Sequence, residues 1–518
     1  PMVLLAPNGS IDLGTAFITG GDLTLRSHDN MNLGGANITG DLNMSSTTGT
    51  VAFGQATVTG SLTASTNGQQ VDLGSANVGG NLSVQTSGGN VVQTTTPNSA
   101  LHVTGTSTIN AGTGNVTLPN VPNQFGQAVS LQANNVVLVG SNGLILGNST
   151  VTGNLSVTAA TGNVTQTPTS VVNVSGTSAM TATQGNVVLG NANTFVQAVA
   201  LNTANATLNS TTALTLGTST VTGNLQATTT TGDITQTGAL AVTGTSNLIA
   251  TAGNITLTNT ANSFGGRVSI DTPQALQLTT SGALSMGEVN VGLTTNLQSH
   301  GVLDMGTSSV YTGKLKVNSG GFDIMQSGPL KAGADEDFDA GNAKIDLFNP
   351  KNLWMGALYF KGGIIMINHP QLLNAVNSGA LMVRAETSIP MSAKVGGDLS
   401  MPIAQAGNVS STSSVSVVVN RVPTAAQTGV IQVQVAADAA SAGKSFSFEL
   451  DPHAVAGHSD NAPLKMAQMD GKPLPNWLKF DANTKTFTAH EVPRGAFPLQ
   501  IKISVGNTET VVVIKEKP

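Results

Sequence analysis

The chain has 518 residues, no cysteine, only 9% charged and 3% aromatic residues, and a mean hydropathy of +0.11. Absence of cysteine excludes disulfides, thiolate metal sites and a thiol nucleophile. A chain that is 39% hydrophobic with a formal net charge of −6 is not of disordered composition, and without a basic excess it excludes nucleic acid as a partner.

Charge divides the chain into two compositional parts. Residues 1–300 hold eight acids and two bases, residues 301–518 hold eighteen of each, and no charged residue lies between Asp72 and Asp233. Solubility over that stretch rests on Thr, Ser and Asn.

From the N-terminus one phrase recurs every 20 residues: Ile11-Asp-Leu-Gly-Thr-Ala-Phe-Ile-Thr-Gly, then variants beginning at Met31, Val51 and Val71. Each is followed by a leucine (Leu23, Leu42, Leu62, Leu82) that opens a short alternating run. The phrase returns at Leu144 and Leu214, 70 residues apart, with looser copies at Leu284 and Leu303. Further echoes pair Asn163-Val-Thr-Gln-Thr with Asp233-Ile-Thr-Gln-Thr, and Phe125, Phe195 and Phe264 occupy matching places. Within each copy apolar residues alternate with small polar ones, which predicts short strands with one buried face. Glycine at this density would cost a helix about 1 kcal/mol per residue. Twenty residues cannot make a sandwich but can make one turn of a parallel β-helix, with three short strands and three corners. If residues 1 to about 400 wind this way, the rod is roughly 95 Å long at ~4.8 Å per coil.

The phrases Val151-Thr-Gly-Asn-Leu-Ser-Val-Thr, Gly162-Asn-Val-Thr-Gln-Thr and Gly253-Asn-Ile-Thr-Leu-Thr-Asn resemble the shaft repeats of filamentous-haemagglutinin-like exoproteins. These are large adhesins exported by two-partner secretion in Gram-negative bacteria, among them biofilm-matrix adhesins. The resemblance covers about residues 1–330. It implies a right-handed β-helical shaft, extracellular or cell-surface exposure, adhesion, and an outer-membrane secretion partner. The family's N-terminal Asn-Pro-Asn-Leu and Asn-Pro-Asn-Gly-Ile motifs do not occur, and Pro1-Met-Val-Leu-Leu-Ala-Pro is not a signal peptide. The expectation is an internal or C-terminal piece of a larger exoprotein, or a processed form.

Near Leu330 the pattern breaks. Residues 331–400 are expected to form irregular final coils and a cap, since a rod must cover its last edge. The run from Leu353 to Ile367 is interrupted by Lys361 and three glycines and is shorter than the ~20 residues a membrane span needs, so it predicts buried strands. Residues 401–412 are expected to be a linker, and residues 413–518 a β-sandwich. There Leu474-Pro-Asn-Trp-Leu-Lys-Phe-Asp481 is similar to a signature of the cadherin-like or Ig-like modules of bacterial adhesins. On that likeness Trp477 fills the core, Asp481-Ala-Asn turns the chain and Phe487 returns inward.

Chemistry is sparse. The seven histidines are scattered, and Ser441-Ala-Gly-Lys444 reads as a turn. Residues 73–232 contain no acid, which excludes a carboxylate-dependent glycan-cleaving groove there. Asp335, Asp337 and Asp339 alternate, and Asp346 follows eleven positions after the first, a pattern that resembles a calcium loop of hard oxygen ligands. Ala340 stands where such a loop needs glycine.

The expected fold is thus all-β, a right-handed parallel β-helix followed by a C-terminal β-sandwich. The favoured function is a non-enzymatic adhesin or matrix protein, a rigid rod presenting a binding module to cells, surface proteins or polysaccharide. A self-associating surface filament is the alternative. A β-helical polysaccharide-degrading enzyme would have to place its catalytic residues within 300–400.

Overall fold

Alternation of Leu, Val and Ile with Thr, Ser and Asn produces strands throughout the chain. The computed structural model describes residues 2–94, 99–367, 381–383, 392–394, 400–402, 415–421, 429–437, 439–450, 464–505 and 508–516. Among them every regular element is a strand, in two compact units, Pro1–Ala275 and Leu276–Pro518.

In the first unit one coil comprises a five-residue strand and two short ones, such as Leu23–Ser27, Met31–Asn32 and Asn37–Ile38. Parallel register stacks like on like. Leu23, Leu42, Leu62 and Leu82 form one inward row, Met31, Val51, Val71 and Val91 a second, and Ile38, Val58, Val78 and Val103 a third. All twelve are buried, and each such aliphatic side chain contributes about 1.5–3 kcal/mol on leaving water. The residues between them on the long strand (Thr24, Asn43, Thr63, Ser83) face outward. The result is a parallel β-solenoid.

The repeated phrase owes its glycine to a corner. Gly14, Gly34, Gly54 and Gly74 all have φ between 51° and 58°, and a Cβ on Gly54 would lie 2.4 Å from the Gly34 carbonyl oxygen. Only glycine combines that left-handed conformation with so close an approach of successive coils. A second corner is held by side chains. Asp22 Oδ1 accepts the Asp41 N–H (3.1 Å), Asp41 Oδ1 the Ser61 N–H (2.7 Å), Ser61 Oγ the Asn81 N–H (3.1 Å), and Asn81 Oδ1 the Thr106 N–H (2.9 Å).

A buried amide clasp recurs on a longer period. Gln93 with Asn123, Gln166 with Asn193, and Gln236 with Asn262 each exchange two hydrogen bonds of 2.7–3.0 Å. The same Asn Oδ1 accepts the backbone N–H of Leu101, Val172 or Leu240, which satisfies an amide that could not otherwise be buried. Two positions after each Asn stands a buried phenylalanine, Phe125, Phe195 or Phe264, in register with Val103, Val174 or Val242.

The second unit repeats the same devices. Gln326 and Asn352 form a fourth clasp (2.9 and 2.8 Å), with Trp354 in the aromatic place. Regular coils run on past Leu330, where the sequence pattern breaks: Leu330–Ala332 pairs with Leu353–Trp354, Glu336–Asp339 with Leu358–Lys361, and Lys344–Leu347 with Ile364–Ile367, all parallel. Larger residues fill the interior here, with Phe338 stacked on Phe360 at 5.4 Å and edge-on to Trp354 at 6.1 Å. No helix among the described residues is long and apolar enough to cross a membrane.

The chain ends in two sheets packed face to face. One contains Val415–Arg421, Gly429–Val435, Thr508–Glu516, Leu499–Val505 and Leu464–Gln468, the other Phe446–Glu449, Thr486–Ala489 and Leu478–Asp481. Ile431, Val433, Ile501 and Ile514 meet Phe446, Phe448, Leu478 and Phe487 in a common core. The core also takes in Met366, and the backbone at Met366 pairs with Val419, so the sandwich joins the solenoid strand Ile364–Ile367 directly. Residues 403–412 of the expected linker lie outside the described residues.

One expectation is corrected here. Trp477 does not fill the sandwich core; it is half-buried at the rim, edge-on to Phe497 at 5.9 Å, and its neighbour Leu478 points inward. Trp477 lies in the turn before the strand Leu478–Asp481, and the inward place falls to Leu478, which opens that strand. Phe487 does return to the core, and Asp481 makes the turn by accepting the Asn483 N–H at 2.8 Å.

Candidate functional site

Five strands of the second unit lie side by side: Leu276–Thr279, Thr295–Gln298, Leu315–Asn318, Glu336–Asp339 and Leu358–Lys361. Their register creates two rows. Leu276, Thr295, Leu315, Glu336 and Leu358 face inward, while Gln277, Asn296, Lys316, Asp337 and Tyr359 face outward. At the preceding corner Thr294, Lys314 and Asp335 form a third row. Together the rows line a groove of about 630 Å³.

The outward row is free of internal commitments. Among the described residues the side chains of Gln277, Asn296, Lys314, Lys316 and Asp337 have no hydrogen-bond or ion-pair partner. Asp335 alone is partly engaged, accepting the Ala357 N–H at 3.1 Å. Passing down the groove, the lining changes from neutral amides to two cations, then two carboxylates, then the Tyr359 ring.

Beneath this surface Glu336 occupies a position that is aliphatic in neighbouring coils. It is fully buried; Oε1 accepts the Ala334 N–H at 3.3 Å and Oε2 has no partner. Burial, helped by the nearby Asp335 charge, raises its pKa from 4.5 to about 8, so the carboxyl is mostly neutral at pH 7. Tyr311 is buried nearby, and its hydroxyl forms no hydrogen bond, the adjacent Ser309 hydroxyl donating instead to the Met305 carbonyl. Burial pushes the phenol above its ordinary range, and the charges of Glu336 and Asp304 push the same way.

The aspartates that suggested calcium are not brought together. Asp335 and Asp337 line the groove; Asp339 accepts the Gly341 N–H (2.8 Å) and faces Lys361 (3.5 Å); Asp346 lies on a different sheet, paired with Lys344 (3.1 Å). Among the described residues no three His, Asp or Glu side chains are gathered closely enough for a metal ion. His369, His453 and His458, with Asp451, Asp460 and Asn461, lie outside the described residues. Ser441 and Lys444 form a turn, the Lys444 N–H reaching the Ser441 carbonyl at 3.1 Å, and the Ser441 hydroxyl donates to Ala437.

The groove residues other than Asp335 and Asp337 were not singled out in the sequence. A signal does exist, since Gln277, Asn296, Lys316, Asp337 and Tyr359 each hold the second position of a strand, one coil apart.

Stacked coils, inward aliphatic ladders and recurrent clasps define a parallel β-solenoid repeat protein. The chain belongs to the family described as repeats of unknown function (DUF5649), whose profile matches residues 20–77, 59–132, 133–202, 203–271 and 292–360. The last of these repeats holds most of the groove. No curated protein and no solved structure matches the chain.

Proposed function

We propose that the protein is a non-enzymatic extracellular adhesin or biofilm-matrix protein of the filamentous-haemagglutinin-like, two-partner-secreted kind. The first unit serves as spacer, and the groove of the second unit holds polysaccharide. The terminal sandwich is read as a cadherin-like module on the strength of its Leu-Pro-Asn-Trp-Leu signature.

One observation carries this reading: polar side chains, most of them long or charged (Gln277, Asn296, Lys314, Lys316 and Asp337), line one groove without partners among the described residues, where the first unit's row of Thr24, Asn43, Thr63 and Ser83 holds only short neutral ones. Amides, cations, carboxylates and a tyrosine ring in a shallow row are the groups that meet sugar hydroxyls and ring faces, each weakly and several at once. An enzymatic reading is less well supported. Glycoside cleavage needs an acid and a base flanking one bond, whereas Glu336 points inward and Asp335 is partly committed to the Ala357 N–H, which leaves Asp337 as the one outward groove carboxylate without a partner among the described residues.

The test is retention of cells or matrix polysaccharide on surfaces coated with the full chain. Asn296→Ala/Tyr359→Ala should lose most of the retention while keeping the circular-dichroism spectrum. Retention that is unchanged by the double variant, or by removal of the polysaccharide, refutes the reading.

A further inference from the structure

The order of groups in the groove narrows the ligand, given the polysaccharide reading above. Rows that repeat once per coil are ~4.8 Å apart, so the five rungs from Gln277 to Tyr359 span about 19 Å in four steps, close to the centre-to-centre spacing of five successive sugars of an extended chain. A linear polymer lying across the strands would therefore set one sugar against each rung.

Lys314 and Lys316 occupy adjacent positions around the middle rung, both exposed and both without an ion-pair partner among the described residues. Two unpaired cations side by side favour an anionic substituent. The next rung opposes it. Asp335 and Asp337 are likewise exposed, and a polymer charged on every sugar would place a carboxylate against them. These carboxylates instead accept hydroxyl donors. The Asn296 amide on the other side of the lysines suits a neutral sugar, and the Gln277 amide and the Tyr359 ring, two rungs from the lysines, accept a sugar of either kind.

We propose that the groove binds a linear heteropolysaccharide in which single carboxylate-bearing sugars are separated by neutral ones, the carboxylate lodging on Lys314 and Lys316. Sequence-specific recognition then comes from the charge order along the solenoid, rung by rung.

Calorimetric titration of the full chain tests this with three probes: hyaluronan oligosaccharides (uronate alternating with neutral sugar), the same oligosaccharides with carboxyls reduced to alcohols, and polygalacturonate. Hyaluronan should bind at least about tenfold more tightly than its reduced form, with polygalacturonate between or below. Lys314→Gln/Lys316→Gln should remove the preference for hyaluronan over its reduced form. Asp337→Asn should strengthen polygalacturonate. Equal binding of native and reduced hyaluronan, both lost in Tyr359→Ala, overturns the carboxylate assignment and leaves the polysaccharide groove standing. Polygalacturonate binding tightest overturns the spaced-charge argument. Failure of all three probes overturns this proposal, and the adhesin reading falls with it only if the retention experiment also fails.

Discussion

At the corner before each long strand of the first unit, Asp22, Asp41, Ser61 and Asn81 each give a side-chain oxygen to the backbone of the next coil, whereas Lys314 holds the same place in the second unit with no such partner. The strand position two residues on differs in size and charge, not in bonding: Thr24, Asn43, Thr63 and Ser83 in the first unit, Lys316, Asp337 and Tyr359 in the second. The coil is common to both units. At the corner the first unit gives its polar side chains to its own backbone, while the second leaves Lys314 free and returns to the same device one coil later, where Asp335 Oδ1 accepts the Ala357 N–H. These outward rows differ in another way: short, neutral side chains in the first unit give place to long or charged ones in the second.

The largest effect should come from the corner glycines of the first unit. In Gly54→Ala the new Cβ meets the Gly34 carbonyl oxygen at 2.4 Å, and φ of +57° strains any L-residue. A left-handed residue alone costs roughly 1–2 kcal/mol, and the backbone collision adds to it, so a loss of about 3 kcal/mol is expected. Denaturant melting checks it, with hydrogen exchange locating the loosened coils at 34–74. The clasp comes next. Asn193→Ala strands the Val172 N–H in the interior and removes two of the Gln166 amide's hydrogen bonds, leaving those with Ser170 and Asn191, at a cost of about 2 kcal/mol, and exchange should rise at Val172 itself.

How far the molecule is legible in its sequence follows from the same comparison. The 20-residue phrase is visible because inward aliphatics and the corner glycine must recur wherever coils stack. Half of the clasp is visible too, in the echoing Gln166-Thr and Gln236-Thr and in the spaced phenylalanines. Its other half is not, since Gln and Asn stand 26–30 residues apart and meet only once the coil register is known. The groove is harder still. Gln277, Asn296, Lys316, Asp337 and Tyr359 share a register position but no residue type, so a search for repeated residues passes over them. Trp477 shows the limit at a single residue, because a signature cannot say which of two adjacent side chains turns inward.

A pH dependence confined to the second unit should follow from Glu336. Its pKa is about 8 in the folded chain against 4.5 ordinarily. Below 4.5 the carboxyl is neutral in folded and unfolded chains, and its contribution to stability is whole. As pH rises from 4.5 to about 8 the unfolded chain ionises first, and stability is lost progressively. The neighbouring ionisable groups are Tyr311, Asp304 and Asp335, and the Tyr311 phenol stays neutral over this range. Hydrogen exchange over 311–340 should therefore quicken between pH 5 and about pH 8 in the native chain, beyond the intrinsic change in exchange rate. Glu336→Gln should flatten that excess. An equal pH slope in the variant would mean that another group is responsible.

The smallest expected effect is the most discriminating. Asn81→Ala removes the acceptor for both the Thr106 N–H and its hydroxyl, and should cost about 1 kcal/mol although the side chain is exposed. Lys314→Gln and Lys316→Gln remove full charges yet break no bond within the chain, so their stability should stay within about 0.5 kcal/mol of the native protein. Thermal melts of the three variants side by side decide the matter. If the lysine variants lose as much as Asn81→Ala, the groove charges are structural after all. If they melt as the native chain does, the lysines carry no structural duty, and a loss of polysaccharide binding in the same variants is then a loss of contact and not of folding.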